Sequence, residues 1–229
     1  MEPSFWHDRW QKNSIGFHQE RINSQLQEFW PQLGLSPNSA VFVPLCGKSR
    51  DMMWLHERGH EVLGVDISAI AARDFFAENK LNAKTTTRGR FEVWECGRLK
   101  ILVGDFFELE ASELAEVAGV YDRASLIALP PPMRARYAEH LASILPARAE
   151  ILLVTLEYSP KEMEGPPFPV GEPEVRRLYE PRYLVTALQD KDVLDENPHL
   201  RERGLTTLTE RAYRLSPMGK TRLVGVQAL

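Results

Sequence analysis

Cysteine is scarce in this sequence: Cys46 and Cys96 are the only two. Thiols so few and so far apart supply neither a metal-ligand spacing nor a disulfide framework, so no metal is expected. Both are expected to be free thiols in a reducing cytoplasm. A basic cluster is also missing. The 28 Lys and Arg face 32 Asp and Glu, for a net charge of −4, and the positive residues are scattered. Phosphate binding normally leaves a basic stripe, so no nucleic-acid partner is expected. No apolar run approaches the roughly 20 residues that cross a bilayer, and the first residues, Met-Glu-Pro-Ser-Phe-Trp-His-Asp, lack the apolar core of a signal peptide. A membrane partner is therefore not expected. The GxGxxG fingerprint is absent as well, which removes the support for a dinucleotide pyrophosphate cradle. There are no internal repeats.

What is present is a strand–helix alternation. The chain has 229 residues, 43% of them hydrophobic, enough for one α/β domain spanning 1–229. Within it, residues 1–38 read as an N-terminal cover and helix, with Ile22, Leu26, Phe29 and Trp30 at helical spacing over 19–30. Apolar runs follow at 40–44, 61–65, 99–103, 119–121 and 151–155, separated by helices at 50–58, from Ser68 to about 80, and at 132–145. These runs are apolar throughout rather than alternating, the pattern of a parallel sheet buried on both faces. Residues 91–95 and 99–103 straddle Cys96-Gly97-Arg98 as a hairpin. Near the end, 209–215 and 221–229 flank Ser216-Pro217-Met218-Gly219 and read as an antiparallel hairpin on the sheet edge.

In an open parallel sheet, ligands bind beyond the carboxyl ends of the strands, near the switch in strand order. Four such ends carry distinctive residues here. The first is the turn Leu45-Cys46-Gly47-Lys48-Ser49, where Gly47 lets backbone approach a ligand. The second is Asp66, a carboxylate that can accept ribose hydroxyls; the alternative is a helix cap, but Ser68 already fits that position. Gly104-Asp105-Phe106 could meet an adenine amino group and ring face, or could be a turn before a core phenylalanine. At Asp122-Arg123 the two side chains could pair structurally, or the guanidinium could hold a carboxylate by two parallel hydrogen bonds. Phe5, Trp6, Trp10 and Phe17 form an aromatic cluster suited to cover a purine or a sulfonium; for Trp6, packing on the domain is the favoured reading.

Taken together, the stretches FWHDRWQKNSIGFHQ (5–19), VFVPLCGKSRDMMWL (41–55), RGHEVLGVDIS (58–68), DFFEL (105–109), YDRASLIALPP (121–131), ARYAEHLASIL (135–145) and GPPFPV (165–170) resemble the thiopurine S-methyltransferase family, its bacterial members above all. The resemblance implies a Rossmann-like class I S-adenosylmethionine-dependent methyltransferase. It implies a mostly parallel seven-stranded sheet, an antiparallel C-terminal hairpin and an N-terminal aromatic and helical cover. It further implies that Trp10, Leu45, Asp66 and Arg123 contact S-adenosylmethionine, that Asp105 and Phe106 lie on the adenine side, and that Phe17 lines the acceptor pocket. The family often has Glu where this chain has Asp66, and Arg201 and Arg203 align only loosely with its acceptor-side arginine. No catalytic residue is assigned with certainty; Arg123 is expected to favour a thiolate electrostatically, and His18 is the histidine nearest the pocket.

The implied reaction moves a methyl group from S-adenosylmethionine to the sulfur of an aromatic or heterocyclic thiol, leaving S-adenosylhomocysteine, in a monomer without metal. A second reading has selenium or tellurium compounds as acceptors. A third is a nucleotide-binding regulatory module without catalysis, whose signature would be a broken set of cofactor positions. The proline-rich insertion at 158–172, with Pro160, Pro166, Pro167 and Pro169, is expected to cover the substrate, being too rigid for a simple linker.

Overall fold

The computed structural model describes residues 3–218. Nine strands form a single sheet: β1 (Ala40–Val43), β2 (Glu61–Asp66), β3 (Lys84–Arg88), β4 (Phe91–Cys96), β5 (Leu99–Val103), β6 (Val117–Arg123), β7 (Glu150–Glu157), β8 (Tyr183–Asp192) and β9 (Thr209–Pro217). Their spatial order is β3-β4-β5-β2-β1-β6-β7-β9-β8. Pairing is parallel from β5 through β2, β1 and β6 to β7, and antiparallel at both flanks. Strand order reverses at β1: the chain winds outward through β2 to β5, then returns to β6 on the other side. This is the switch point at which doubly wound sheets bind ligands.

The described residues form nine strands rather than the expected seven. Seven of them, from β5 to β8 in spatial order, form the anticipated sheet, and the ribbon β3–β4 extends it beyond β5. β3 has the sequence KTTTR and is exposed at every position, so no apolar periodicity marks it. The C-terminal hairpin is also built differently. β9 pairs with β7 on one side and β8 on the other. The partner of 209–215 is therefore β8, and the expected second limb, 221–229, lies outside the described residues.

Seven helices cover the sheet: α1 (Pro3–Gln11), α2 (Ser24–Phe29), α3 (Asp51–Glu57), α4 (Ala69–Glu78), α5 (Pro131–Ile144), α6 (Glu172–Tyr179) and α7 (Pro198–Glu202). Phe42, Val120, Ile151 and Leu153 face Tyr137 and Leu141 of α5 and Val175 and Tyr179 of α6. Val41, Val43, Val62, Leu152 and Val154 turn the other way, toward Leu26 and Phe29 of α2, Leu55 of α3 and Phe75 of α4. Strand side chains alternate between faces, and with both faces buried every position becomes apolar. The helix expected over 19–30 is shorter, because Asn23 caps α2 by accepting from the amides of Gln25 and Leu26, and Pro31 converts its end to a 3-10 turn over Trp30–Leu33. Pro131 begins α5, where a missing N–H costs nothing. Ser68 caps α4 as expected, its hydroxyl accepting from Ala71 N at 3.3 Å. No helix of the described residues is long and apolar enough to cross a membrane.

Candidate active site

A cavity of about 490 Å³ lies beyond the carboxyl ends of β1, β2, β6 and β7, within the size range of small-molecule sites. Of the residues singled out from sequence, Trp10, Phe17, His18, Leu45, Gly47, Asp66, Arg123 and Arg203 border it. Asp105 and Phe106 lie one strand away, at the end of β5, outside that wall. Asp105 accepts from the amide of Phe107 at 2.9 Å. Phe106 is buried, its ring 4.8 Å from that of Tyr137 and 5.2 Å from that of His140. A second cavity, of about 160 Å³, opens at the opposite ends of β1 and β2, where no switch-point crevice exists.

The turn after β1 is held in an unusual conformation. Leu45 has φ +43° and Gly47 φ +52°, a left-handed region costly for a residue with a β-carbon. Cys46 N donates to Val65 O at 2.9 Å, and Gly47 N donates to Asp66 Oδ2 at 2.8 Å. A β-carbon at Gly47 would lie 3.2 Å from the Trp10 indole, so glycine serves both the turn and the approach of the cover. Asp66 Oδ1 also accepts from Ser68 N at 2.9 Å. Asp66 thus ties the ends of β1 and β2 together. Burial pushes its carboxyl up to about 6, with the Ser68 and Gly47 amides opposing that rise. Each carboxylate oxygen still has lone-pair capacity for a hydroxyl donor.

At the end of β6, Asp122 and Arg123 part company. Asp122 is fully buried and its Oδ2 accepts from Tyr137 Oη at 2.7 Å. Arg123 is half-buried on the cavity wall and forms no ion pair among the described residues. The structural pair that could have explained both is therefore absent. Ala124 follows with φ +71°, turning the chain along the cavity rim.

The cover is α1 and the loop after it. Trp10 is buried, and the Trp6 and Trp10 rings each meet Phe17 edge-on at 5.7 Å. Trp6 borders the cavity, whereas packing on the domain had been favoured for it. His18 lies on the same rim, and burial, reinforced by the Lys48 ammonium, lowers its pKa and favours neutral imidazole. Cys46 is buried and its thiol is pushed well above the ordinary range, so it is a packing group rather than a nucleophile.

Opposite the cover stands the proline-rich segment. Pro166 and Pro167 border the cavity, as do Asn197, His199, Leu200 and Arg203 from α7 and its flanks. The two segments are clasped together: Arg203 donates to Pro166 O at 3.2 Å, Thr206 donates twice to Glu162, and Tyr158, Met163, Leu200 and Leu205 share an apolar cluster. Arg201 turns away to pair with Asp195. Sequence reasoning missed His199, Arg9 and Glu210 in this wall. None of the three stood out: Glu210 lies in a strand, TERAYRLSP, that also carries Arg211 and Arg214.

Comparison with known proteins places this arrangement. The family model for thiopurine S-methyltransferase matches residues 1–218. A thiopurine S-methyltransferase of Methylococcus capsulatus is 49% identical over 214 residues, covering 93% of this chain and 96% of that one. Among solved structures, an S-adenosylmethionine-dependent methyltransferase from Anabaena variabilis superposes with a TM-score of 0.66 at 13% identity, covering 94% of both chains. The 1,6-didemethyltoxoflavin-N1-methyltransferase of Burkholderia thailandensis, solved with S-adenosylhomocysteine, gives 0.63 at 17% identity, over 93% of this chain and 87% of that one. With the sheet order, the PLCGK turn and a match across nearly its whole length in agreement, the chain belongs to the thiopurine S-methyltransferase family.

Proposed function

We propose that this protein transfers the methyl group of S-adenosylmethionine to the sulfur of an aromatic or heterocyclic thiol. The observation that carries the reading is Arg123, a guanidinium on the wall of the switch-point cavity with no ion-pair partner among the described residues. It suits the carboxylate at the amino-acid end of the methyl donor. Asp66 retains acceptor capacity for the ribose hydroxyls, while Leu45 and Trp10 line the path between these two groups. Asp105 and Phe106 stay assigned to the adenine side, reached along the sheet edge toward β5. When bound, the donor supplies an electrophilic methyl carbon on a sulfonium.

The remaining work falls to the chain's own residues. Trp6, Trp10 and Phe17 on one side, and Pro166 and Pro167 on the other, shield the cavity from water and present apolar faces to an aromatic acceptor. Holding the acceptor sulfur about 3–3.5 Å from the methyl carbon is the main requirement of such a displacement. Arg123 and Arg203, which form no ion pair among the described residues, give the wall positive potential that favours the thiolate over the thiol, while Lys48 is paired with Glu78 at 2.6 Å. A thiopurine thiol ionises partly at neutral pH, so no strong base is required, although His18 and His199 both border the cavity. The size of the cavity suits a small-molecule acceptor, and the protein is proposed to act as a monomer. No metal-ligand cluster is found among the described residues.

Isothermal titration with S-adenosylmethionine and with NADH tests the donor assignment: one-site binding of the first and silence with the second are expected. A methylation screen over thiopurines, simple aromatic thiols and selenite then tests the acceptor. Turnover of selenite with no thiol methylated would overturn the thiol assignment.

A further inference from the structure

Arg134, on α5, is only 1% exposed, and no other Lys or Arg of the described residues is buried. A guanidinium taken this far out of water is costly unless its N–H groups are met. Nε donates to Leu129 O at 2.9 Å, and Nη1 donates to Glu174 Oε2 of α6 at 2.6 Å. Burial draws the pKa of Arg134 down, and the Glu174 carboxylate opposes that change. Joining α5 to α6 does not by itself call for such a group. The two helices already pack through Tyr137, Leu141, Val175 and Tyr179, and Glu174 has a second cation in Arg177 at 3.5 Å.

A third neighbour gives the guanidinium its purpose. Its carbon stands 5.8 Å from the centre of the Phe168 ring, within the range of a cation–π attraction. That ring folds back over its own loop: a β-carbon at Gly165 would lie 2.4 Å from Phe168 Cδ1, so glycine leaves the ring its place. Pro166 and Pro167, the residues between Gly165 and Phe168, border the cavity. Ile127 and Ala128 border it too, and they lead directly into Leu129, whose carbonyl Arg134 holds. The loop and the turn are joined by Phe168 N, which donates to Ile127 O. Arg134 itself stands behind the wall and grips both of its parts, the ring of one and the carbonyl of the other.

We propose that Arg134 is a positioning residue for the acceptor side of the cavity. Through the Phe168 ring and the Leu129 carbonyl it sets where Pro166, Pro167, Ile127 and Ala128 stand, and so how large an acceptor the wall admits. The assignment rests on the thiol-methylation reading and deepens it, placing part of the acceptor selectivity in a residue that no acceptor touches. A planar guanidinium suits the task because it donates from its edge and attracts a ring to its face. An apolar side chain could fill the same space without fixing the loop against the turn.

The test is a double-variant cycle read by steady-state kinetics, with 6-mercaptopurine and the smaller thiophenol as acceptors. Arg134→Met removes the charge and keeps the length; Phe168→Leu removes the ring and leaves the Arg134 hydrogen bonds in place. Each should raise KM for 6-mercaptopurine about fivefold and weaken its preference over thiophenol, while kcat and the calorimetric affinity for S-adenosylhomocysteine stay within about twofold. Because both changes break one contact, the double variant should match Arg134→Met within about twofold, whereas independent effects would multiply to about 25-fold. A multiplied loss overturns the proposal. So does an equal loss of donor affinity and acceptor KM, the behaviour of a residue that serves only the fold. Should Arg134→Met fail to fold, Phe168→Leu decides alone: unchanged KM for both thiols overturns the proposal. An unaltered protein that binds S-adenosylhomocysteine but methylates neither thiol would instead sink the thiol reading beneath it.

Discussion

Asp122 and Arg123 are neighbours in the chain with opposite electrostatic situations. Asp122 is fully buried, and burial pushes its carboxyl up to about 6 despite hydrogen bonds from Tyr137 and the Ser125 and Leu126 region. The folded protein therefore holds this proton more tightly than the unfolded chain does. Its contribution to stability is greatest while the group is protonated and falls as pH rises from about 4 to about 6. Asp122→Asn, which stays neutral, should gain on the parent protein between pH 5 and pH 8 by about 1.4 kcal/mol, the one unit between pH 5 and the raised value near 6. Urea denaturation at the two pH values checks this; an identical difference at both would refute it. Arg123 pairs with no carboxylate among the described residues, so its removal strands no buried partner there. Arg123→Met should fold normally, and we expect it to weaken S-adenosylmethionine binding and slow methylation at least tenfold. Unchanged titration and unchanged rate would sink the role given to that guanidinium.

Two elements frame the cavity by different means. The 44–49 turn is rigid because Asp66 gathers the Gly47 and Ser68 amides on its two oxygens, so the ends of β1 and β2 move as one. The proline-rich segment gains its position from contacts outside itself. Phe168 N donates to Ile127 O at 2.7 Å and Val170 N to Leu156 O at 2.8 Å, while Tyr158 Oη braces the segment from within on Pro167 O at 2.6 Å. Clasped to the 193–208 stretch, it forms a wall whose loss would reach the acceptor rather than the donor. Deleting 164–169 should raise the Michaelis constant for the thiol and broaden acceptor selectivity, with S-adenosylmethionine affinity held within a few-fold. Steady-state kinetics on two thiols of different size, unchanged from the parent, would count against this wall.

At the scale of the whole molecule, the cavity draws on the N-terminal cover, four strand ends, the proline-rich segment and β9. A ligand that touches so many separate elements ties them to one another and stabilises the fold by mass action. The methyl donor at about 100 times its dissociation constant should add about 2.7 kcal/mol, which for a chain of 229 residues raises the melting temperature by roughly 5–10 °C. NADH at the same concentration should leave the melting curve in place. Equal shifts with both ligands would contradict the selectivity assigned to the cavity.

How much of this could be read beforehand follows from which forces act locally. The inner strands were visible because burial on both faces makes short runs apolar throughout, and their ends were visible because Asp66 and Arg123 interrupt that pattern with charge. Ser68 declared its cap through a hydroxyl bonding three residues ahead. β3 and the polar end of β8 left no such mark, since edge strands are held mainly by backbone pairing that is indifferent to side-chain polarity. The sequence by itself therefore determined the α/β class, the charged residues at the strand ends and the family. The tertiary structure decided the rest: β9 inserted between β7 and β8, Glu210 brought beside residues 23 and 25, and Asp122 turned away from Arg123. Each of these depends on strand pairing and packing between distant parts of the chain or on the alternation of faces within a sheet, interactions that no local pattern of side chains encodes.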